Sequence, residues 1–167
     1  VMAVFTGIAQ GLQPLVSHYH GLNDHHNLVK IRQYGIITSI AIAALIYLLM
    51  AAFTTEIVTL FNKEQNQTLT QIATEGIVIY FIGFIFAGVN IILATYLSAT
   101  EKVKEAFIIS LLRGILIIIP VVIILGMLFG LNGVFAAFVL TELIVFIVVL
   151  YIIKSKDYIK DPLSYKS

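Results

Sequence analysis

The chain has 167 residues, of which 60% are hydrophobic and only 11% charged, whereas soluble domains carry about a quarter charged residues. This composition excludes a soluble globular domain and places the chain in a lipid bilayer. A net charge of +1 points to no nucleic-acid partner, and the lack of cysteine excludes disulfides, thiolate metal sites and cysteine nucleophiles. Because about 20 apolar residues cross a bilayer, the length accommodates about five spans and no sizeable soluble domain. The chain starts at Val1 inside an apolar stretch with no charged lead-in, and it reads as a fragment without a signal peptide.

The first predicted helix, 1–21, places Gln10, Gln13, Pro14 and Ser17 at helical spacing along one polar face. Proline removes a backbone donor and glycines weaken the helix, so the face is expected to be kinked and to line a protein or water-filled cavity. The competing reading is that the two glutamines only join helices by hydrogen bonds. The loop from Gly21 to Tyr34 carries Leu28-Val29-Lys30-Ile31-Arg32, an amphipathic stretch read as an anchor at the inner membrane surface. His18, His20, His25 and His26 crowd the same end, but with no Cys, Asp or Glu at ligand spacing except Asp24 they predict no metal site.

The second predicted helix is 34–61. The third, 72–97, aligns Gly76, Tyr80, Gly83, Ala87, Asn90 and Ala94 on one face of small residues, which allows a second helix to approach closely. On that face Tyr80 and Asn90 alone carry appreciable hydrogen-bonding capacity, to touch a substrate or to pin the pair. The fourth, 106–129, contains Arg113 about two turns from its inner end, within snorkelling reach of the interface. Gly130-Leu131-Asn132-Gly133 is the expected turn into the fifth helix, 134–153. There Glu142 lies at mid-membrane depth, where an isolated carboxylate costs about 2.5–3.5 kcal/mol on insertion scales. It must be protonated, paired or wet, and so either carries a coupling proton or accepts from Arg113 or a tyrosine. The tail, 154–167, has too little apolar content to fold alone.

Five crossings put Lys30, Arg32, Lys102, Lys104, Lys154, Lys156, Lys160 and Lys166 on one side and Lys63 alone on the other. The positive-inside rule makes the first side, with the carboxyl end, cytoplasmic. No period-two alternation suggests a barrel, and no nucleophile and base, phosphate loop or carboxylate pair supports an enzyme. The fold class is therefore all-α integral membrane, with a helical bundle over 1–153 and a cytoplasmic tail.

The string Gly7-Ile8-Ala9-Gln10-Gly11-Leu12-Gln13-Pro14-Leu15-Val16-Ser17, followed by a glycine-asparagine loop, resembles the eighth helix of the multidrug and toxic compound extrusion (MATE) transporters. Four more features resemble that family in order: Leu60-Phe61-Asn62; Tyr96-Leu97-Ser98-Ala99-Thr100-Glu101; Leu111-Leu112-Arg113 with Pro120; and Phe129-Gly130-Leu131-Asn132-Gly133-Val134 leading to Thr141-Glu142. The resemblance covers about 1–153 and implies helices eight to twelve, a partial carboxyl-terminal lobe of a twelve-helix transporter. It implies secondary active antiport in a bacterial cytoplasmic membrane, exporting drugs or cationic amphiphiles in exchange for sodium ions or protons, with no cofactor. The implied partners are the bilayer, the small substrates and the missing amino-terminal lobe of the same protein. Gln10, Gln13, Ser17, Tyr80 and Asn90 would then be substrate-binding, Glu142 an ion-coupling candidate, and Pro14 and Arg113 structural or interfacial. Where one branch of the family has a carboxylate on the tenth helix, this chain has Ala87 with Asn90 one turn later, and so looks more like the branch that couples through the other lobe. The alternatives are a lipid-linked saccharide flippase of the same superfamily and a non-transporting helical bundle.

Overall fold

The computed structural model describes residues 1–62 and 66–155, and every regular element among them is helical. In order these are α1 (Met2–Gly21), α2 (His25–Ala52), α3 (Thr54–Phe61), α4 (Gln67–Ala99), α5 (Val103–Leu111), a π-helical turn (Leu112–Leu116) and α6 (Ile118–Ser155). Three runs are long and apolar enough to cross a membrane: His25–Ala52, Gln67–Ala99 and Val103–Lys154. Helix α1, with 20 residues, has bilayer length at about 1.5 Å per residue but is more polar than these runs. Of the lysines used to orient the chain, Lys63, Lys156, Lys160 and Lys166 lie outside the described residues.

The second helix starts nine residues earlier than predicted, at His25 instead of 34. Asp24 is the reason. Its Oδ1 accepts from the Asn27 backbone N–H at 3.1 Å and its Oδ2 from the Asn27 side-chain amide at 2.6 Å, which satisfies helix donors that otherwise lack partners. These bonds hold the Asp24 carboxyl below its ordinary value of 3.8. The stretch predicted as a surface anchor is therefore the first turns of a helix. Leu28 packs with Val16 and Tyr96, and the Arg32 guanidinium sits 5.4 Å from the Tyr96 ring centroid, a cation–π distance. The same helix ends at Ala52, with a break at Phe53 before α3.

Two turns are built alike. After α1, Asn23 adopts φ 56° and the Asp24 N–H donates to the Tyr19 carbonyl at 3.0 Å. After α4, Glu101 adopts φ 62° and the Lys102 N–H donates to the Leu97 carbonyl at 2.9 Å. Each uses a left-handed residue to return orphan helix carbonyls to hydrogen bonding.

The predicted turn at 130–133 contracts to a single residue. Gly130 alone leaves helical geometry, at φ 61° and ψ −138°, a region open essentially to glycine. The chain reverses there: a Cβ at Gly133 would overlap the Leu125 carbonyl oxygen, and one at Gly126 would touch Val134 Cγ2 at 3.4 Å. Consequently the run from Val103 is a hairpin, with Ala106 and Ile109 sharing a buried cluster with Val145, Val149 and Ile153.

Helix α4 is the axis of the bundle, packing against α1, α2, α3, α5 and α6. The stripe of small residues receives aromatic rings: a Cβ at Gly76 would lie 2.5 Å from the Phe135 ring, and one at Gly83 would lie 2.5 Å from the Phe138 ring. Gly88, beside the stripe, is filled from the other side by Phe5 of α1, 2.8 Å from where its Cβ would be. Because Gly76 meets Phe135, Gly83 meets Phe138 and Asn90 meets Glu142, α4 and the end of α6 advance in the same direction. A parallel pair needs a crossover between its members, and α5 with the first part of α6 supplies it.

Candidate functional site

Two polar features stand out in this apolar bundle. The first is the outer face of α1. Phe5, Ala9 and Val16 are buried, whereas Gln10, Gln13, Pro14 and Ser17, on the flank and far side of the helix, are all exposed. Helix α1 continues unbroken through Pro14, whose ring nitrogen offers no hydrogen to the Gln10 carbonyl. Next to that face, a Cβ added at Gly7 or Gly11 would meet nothing within 4 Å, which leaves the helix surface open beside the glutamines.

The second is a buried network across three elements. Arg113, in the π-helical turn, donates from Nε and Nη2 to Glu142 Oε1 at 3.1 and 2.6 Å. Asn90 of α4 donates from Nδ2 to Glu142 Oε2 at 2.8 Å and to the Glu142 carbonyl at 3.0 Å. Glu142 is 3% exposed and Asn90 fully buried. A paired and hydrogen-bonded carboxylate is the form in which a buried charge is tolerated. The π turn is marked by the Ile117 N–H reaching back to the Leu112 carbonyl at 2.9 Å, and Pro120 lies just beyond it. Proline removes a donor and crowds the carbonyl four residues back, here that of Leu116, so the distortion has a local chemical cause. Two buried polar atoms near this network, Asn90 Oδ1 and Thr141 Oγ1, have no hydrogen-bond partner among the described residues.

Tyr80 lies on α4 between Asn90 and the helix's first residue, Gln67. Its ring stacks on Phe138 at 4.4 Å and meets Phe84 edge-on at 5.6 Å. It also lines an open apolar groove of about 420 Å³, together with Ala73, Gly76, Ile77, Val134 and Phe135.

The structure thus groups the sequence-predicted residues in three places. Gln10, Gln13 and Ser17 share the open face of α1, Tyr80 lines the groove between α4 and α6, and Asn90 is enclosed with Glu142 and Arg113. Of the two roles open to Glu142, acceptor for Arg113 is the one that the structure supplies with a partner. Neither the π turn nor Arg32 over Tyr96 was read from the sequence: Pro120 was the signal for the first, and only the helical start at His25 brings the second pair together.

The MatE family model matches the chain over residues 1–124. The multidrug export protein MepA of Staphylococcus saprophyticus is 24% identical over 146 residues, 84% of this chain and 30% of that protein. An uncharacterized protein of Mycoplasma genitalium is 29% identical over 120 residues, 71% of this chain and 22% of its own length. Its homologue in Mycoplasma pneumoniae is 21% identical over 118 residues, with the same coverage of 71% and 22%. The chain therefore spans less than a third of the length of the relatives it matches. No solved structure matches significantly.

Proposed function

The chain belongs to the MatE family, and from that premise we propose that it is the carboxyl-terminal part of a MATE-type secondary active antiporter, exporting drugs or cationic amphiphiles in exchange for sodium ions or protons. The observation that carries this reading is the similarity to a multidrug export protein along 84% of the chain. The open polar face of α1 supports it physically. Gln10, Gln13 and Ser17 sit on a helix packed into a membrane bundle through its other side, and amide and hydroxyl groups facing hydrocarbon would be costly. A hydrated substrate pathway between this part and an amino-terminal lobe resolves that cost, and helices interrupted by proline and glycine commonly line such pathways. In this reading Tyr80 and its aromatic neighbours offer an apolar and π-rich wall for an amphiphilic cation. The membrane is the cytoplasmic membrane of a bacterium, with the carboxyl end inside.

The test uses the full-length protein in sealed vesicles, following efflux of a fluorescent cationic dye under a sodium gradient and then under a proton gradient. Efflux driven by one of the two is expected, and Gln13→Ala should slow it roughly fivefold, the equivalent of one hydrogen bond. Absence of dye efflux under both gradients, with transfer of a lipid-linked saccharide instead, would replace this reading with that of a flippase.

A further inference from the structure

A mid-membrane carboxylate in a transporter invites an ion-carrying role, and the surroundings of Glu142 argue for a different one. Three donors from two other elements converge on its side chain: Arg113 Nε and Nη2 on Oε1, and Asn90 Nδ2 on Oε2. Both carboxylate oxygens are thus in use as acceptors, and the guanidinium compensates the charge at 2.6 Å. Neither Glu142 nor Asn90 opens onto the groove that Tyr80 lines.

The backbone is arranged to serve this contact. A π turn inserts one residue relative to an α-helix, which rotates the preceding helical segment by about 100° relative to the succeeding one. The turn at Leu112–Leu116 sets the direction of Arg113 within a helix that Pro120 has already weakened. Asn90 and Glu142 also continue the seam in which Phe135 and Phe138 fill Gly76 and Gly83. That seam is close-packed and cannot slide without losing both rings' seats.

We propose that Arg113, Glu142 and Asn90 form a permanent brace that makes α4, α5 and α6 move as one body during transport, and that Glu142 is a positioning residue which takes no part in ion coupling. The inference rests on the transporter reading for its functional half, while its structural half stands without it. Removing one member of a buried ion pair strands the other charge, whereas removing both together is often neutral. The experiment therefore compares, in the full-length protein, Arg113→Gln, Glu142→Gln, and the double variant Arg113→Met with Glu142→Gln, which deletes both charges and keeps an amide oxygen facing Asn90.

Folded yield and thermal transition in detergent are measured first. Each single variant should lose folded protein about tenfold or more, and the double variant should recover it. Efflux per folded molecule is measured second: the double variant should keep wild type's choice of driving gradient and pH profile at a reduced rate, because Arg113 no longer ties its helix to Glu142. An unchanged rate would overturn the brace's part in transport. Single variants as stable as wild type would overturn the brace. A double variant that folds normally but has lost gradient-driven efflux would overturn the exclusion of Glu142 from coupling. If wild type itself shows no efflux, the transporter reading fails, and the yields still decide whether the brace exists.

Discussion

At Gly83 the spacing of two helices is set by the absence of one carbon. A Cβ there would lie 2.5 Å from Phe138 Cδ1 and 3.3 Å from the Val139 Cα, so the ring would have to move and the backbone behind it would resist. Gly83→Val should destabilise the folded protein by about 1–3 kcal/mol, the usual cost of overpacking, read as a lower thermal transition in detergent. Asp24 acts at the same scale through two bonds to Asn27. Because its folded-state carboxyl value is depressed, the stabilisation it provides is complete above its ordinary value of 3.8 and disappears as pH falls through the lower folded value. Asp24→Asn, which keeps an acceptor but not the charge, should remove that acid-side dependence, as measured by thermal transitions in a pH series. The small residues of α4 were legible as a packing face from their spacing alone. The partner of Asn90 was not, because Glu142 lies 52 residues further along the chain and the contact depends on a reversal that no local pattern displays.

Among the elements, the π turn and the break at Gly130 decide how the long apolar run is folded. Pro120→Ala would restore a donor and remove about 3 kcal/mol of intrinsic helix penalty, so simple propensity forecasts stabilisation. We expect the reverse: relaxation to a regular α turn swings Arg113 away from Glu142, and the thermal transition falls instead of rising. Gly130→Ala must place a side chain at φ 61° and ψ −138°, a conformation costing on the order of 1–3 kcal/mol for other residues, and should loosen the hairpin, as seen in faster proteolysis between the two arms. Helix positions followed from charge-free windows, since charged side chains are excluded from hydrocarbon. The ends did not, because Asp24 and Asn66 cap helices that continue through charged or polar turns: Asn66 accepts from the Leu69 N–H at 3.2 Å, and α4 starts at Gln67 where 72 was expected.

Over the whole molecule, a helix threaded through the centre holds the rest. Helix α4 meets α1 through Gly88 and Phe5, α2 through the Ile92 side chain against Gly35, and α6 through its glycine seam. Such an arrangement explains how a piece covering less than a third of its relatives' length has a core of its own. Under the proposed transporter reading it does not supply a transport cycle, which requires two parts rocking about a shared site. On that reading, vesicles holding this chain alone should show no gradient-driven dye efflux, while vesicles of the full-length protein should. The polar face of α1 was readable because glutamine in a membrane helix is conspicuous. The enclosed position of Asn90, away from that face, was not, since amide side chains have the same chemistry whether they bind a substrate or a neighbouring helix.

The distance in sequence between Arg113 and Glu142, 29 residues, also has a consequence for biosynthesis. During translation the arginine reaches the membrane while its counter-charge is still inside the ribosome, whose exit tunnel shelters a segment of about that length. The helix carrying Arg113 must then enter the bilayer with its guanidinium extended to the nearer headgroups, and it can settle only when the second arm arrives. The two arms of the hairpin should accordingly integrate as a unit. In nascent chains stalled at increasing lengths, firm membrane integration of 103–129 is expected to appear only once Glu142 has emerged, and to be delayed no longer when Arg113 is replaced by leucine.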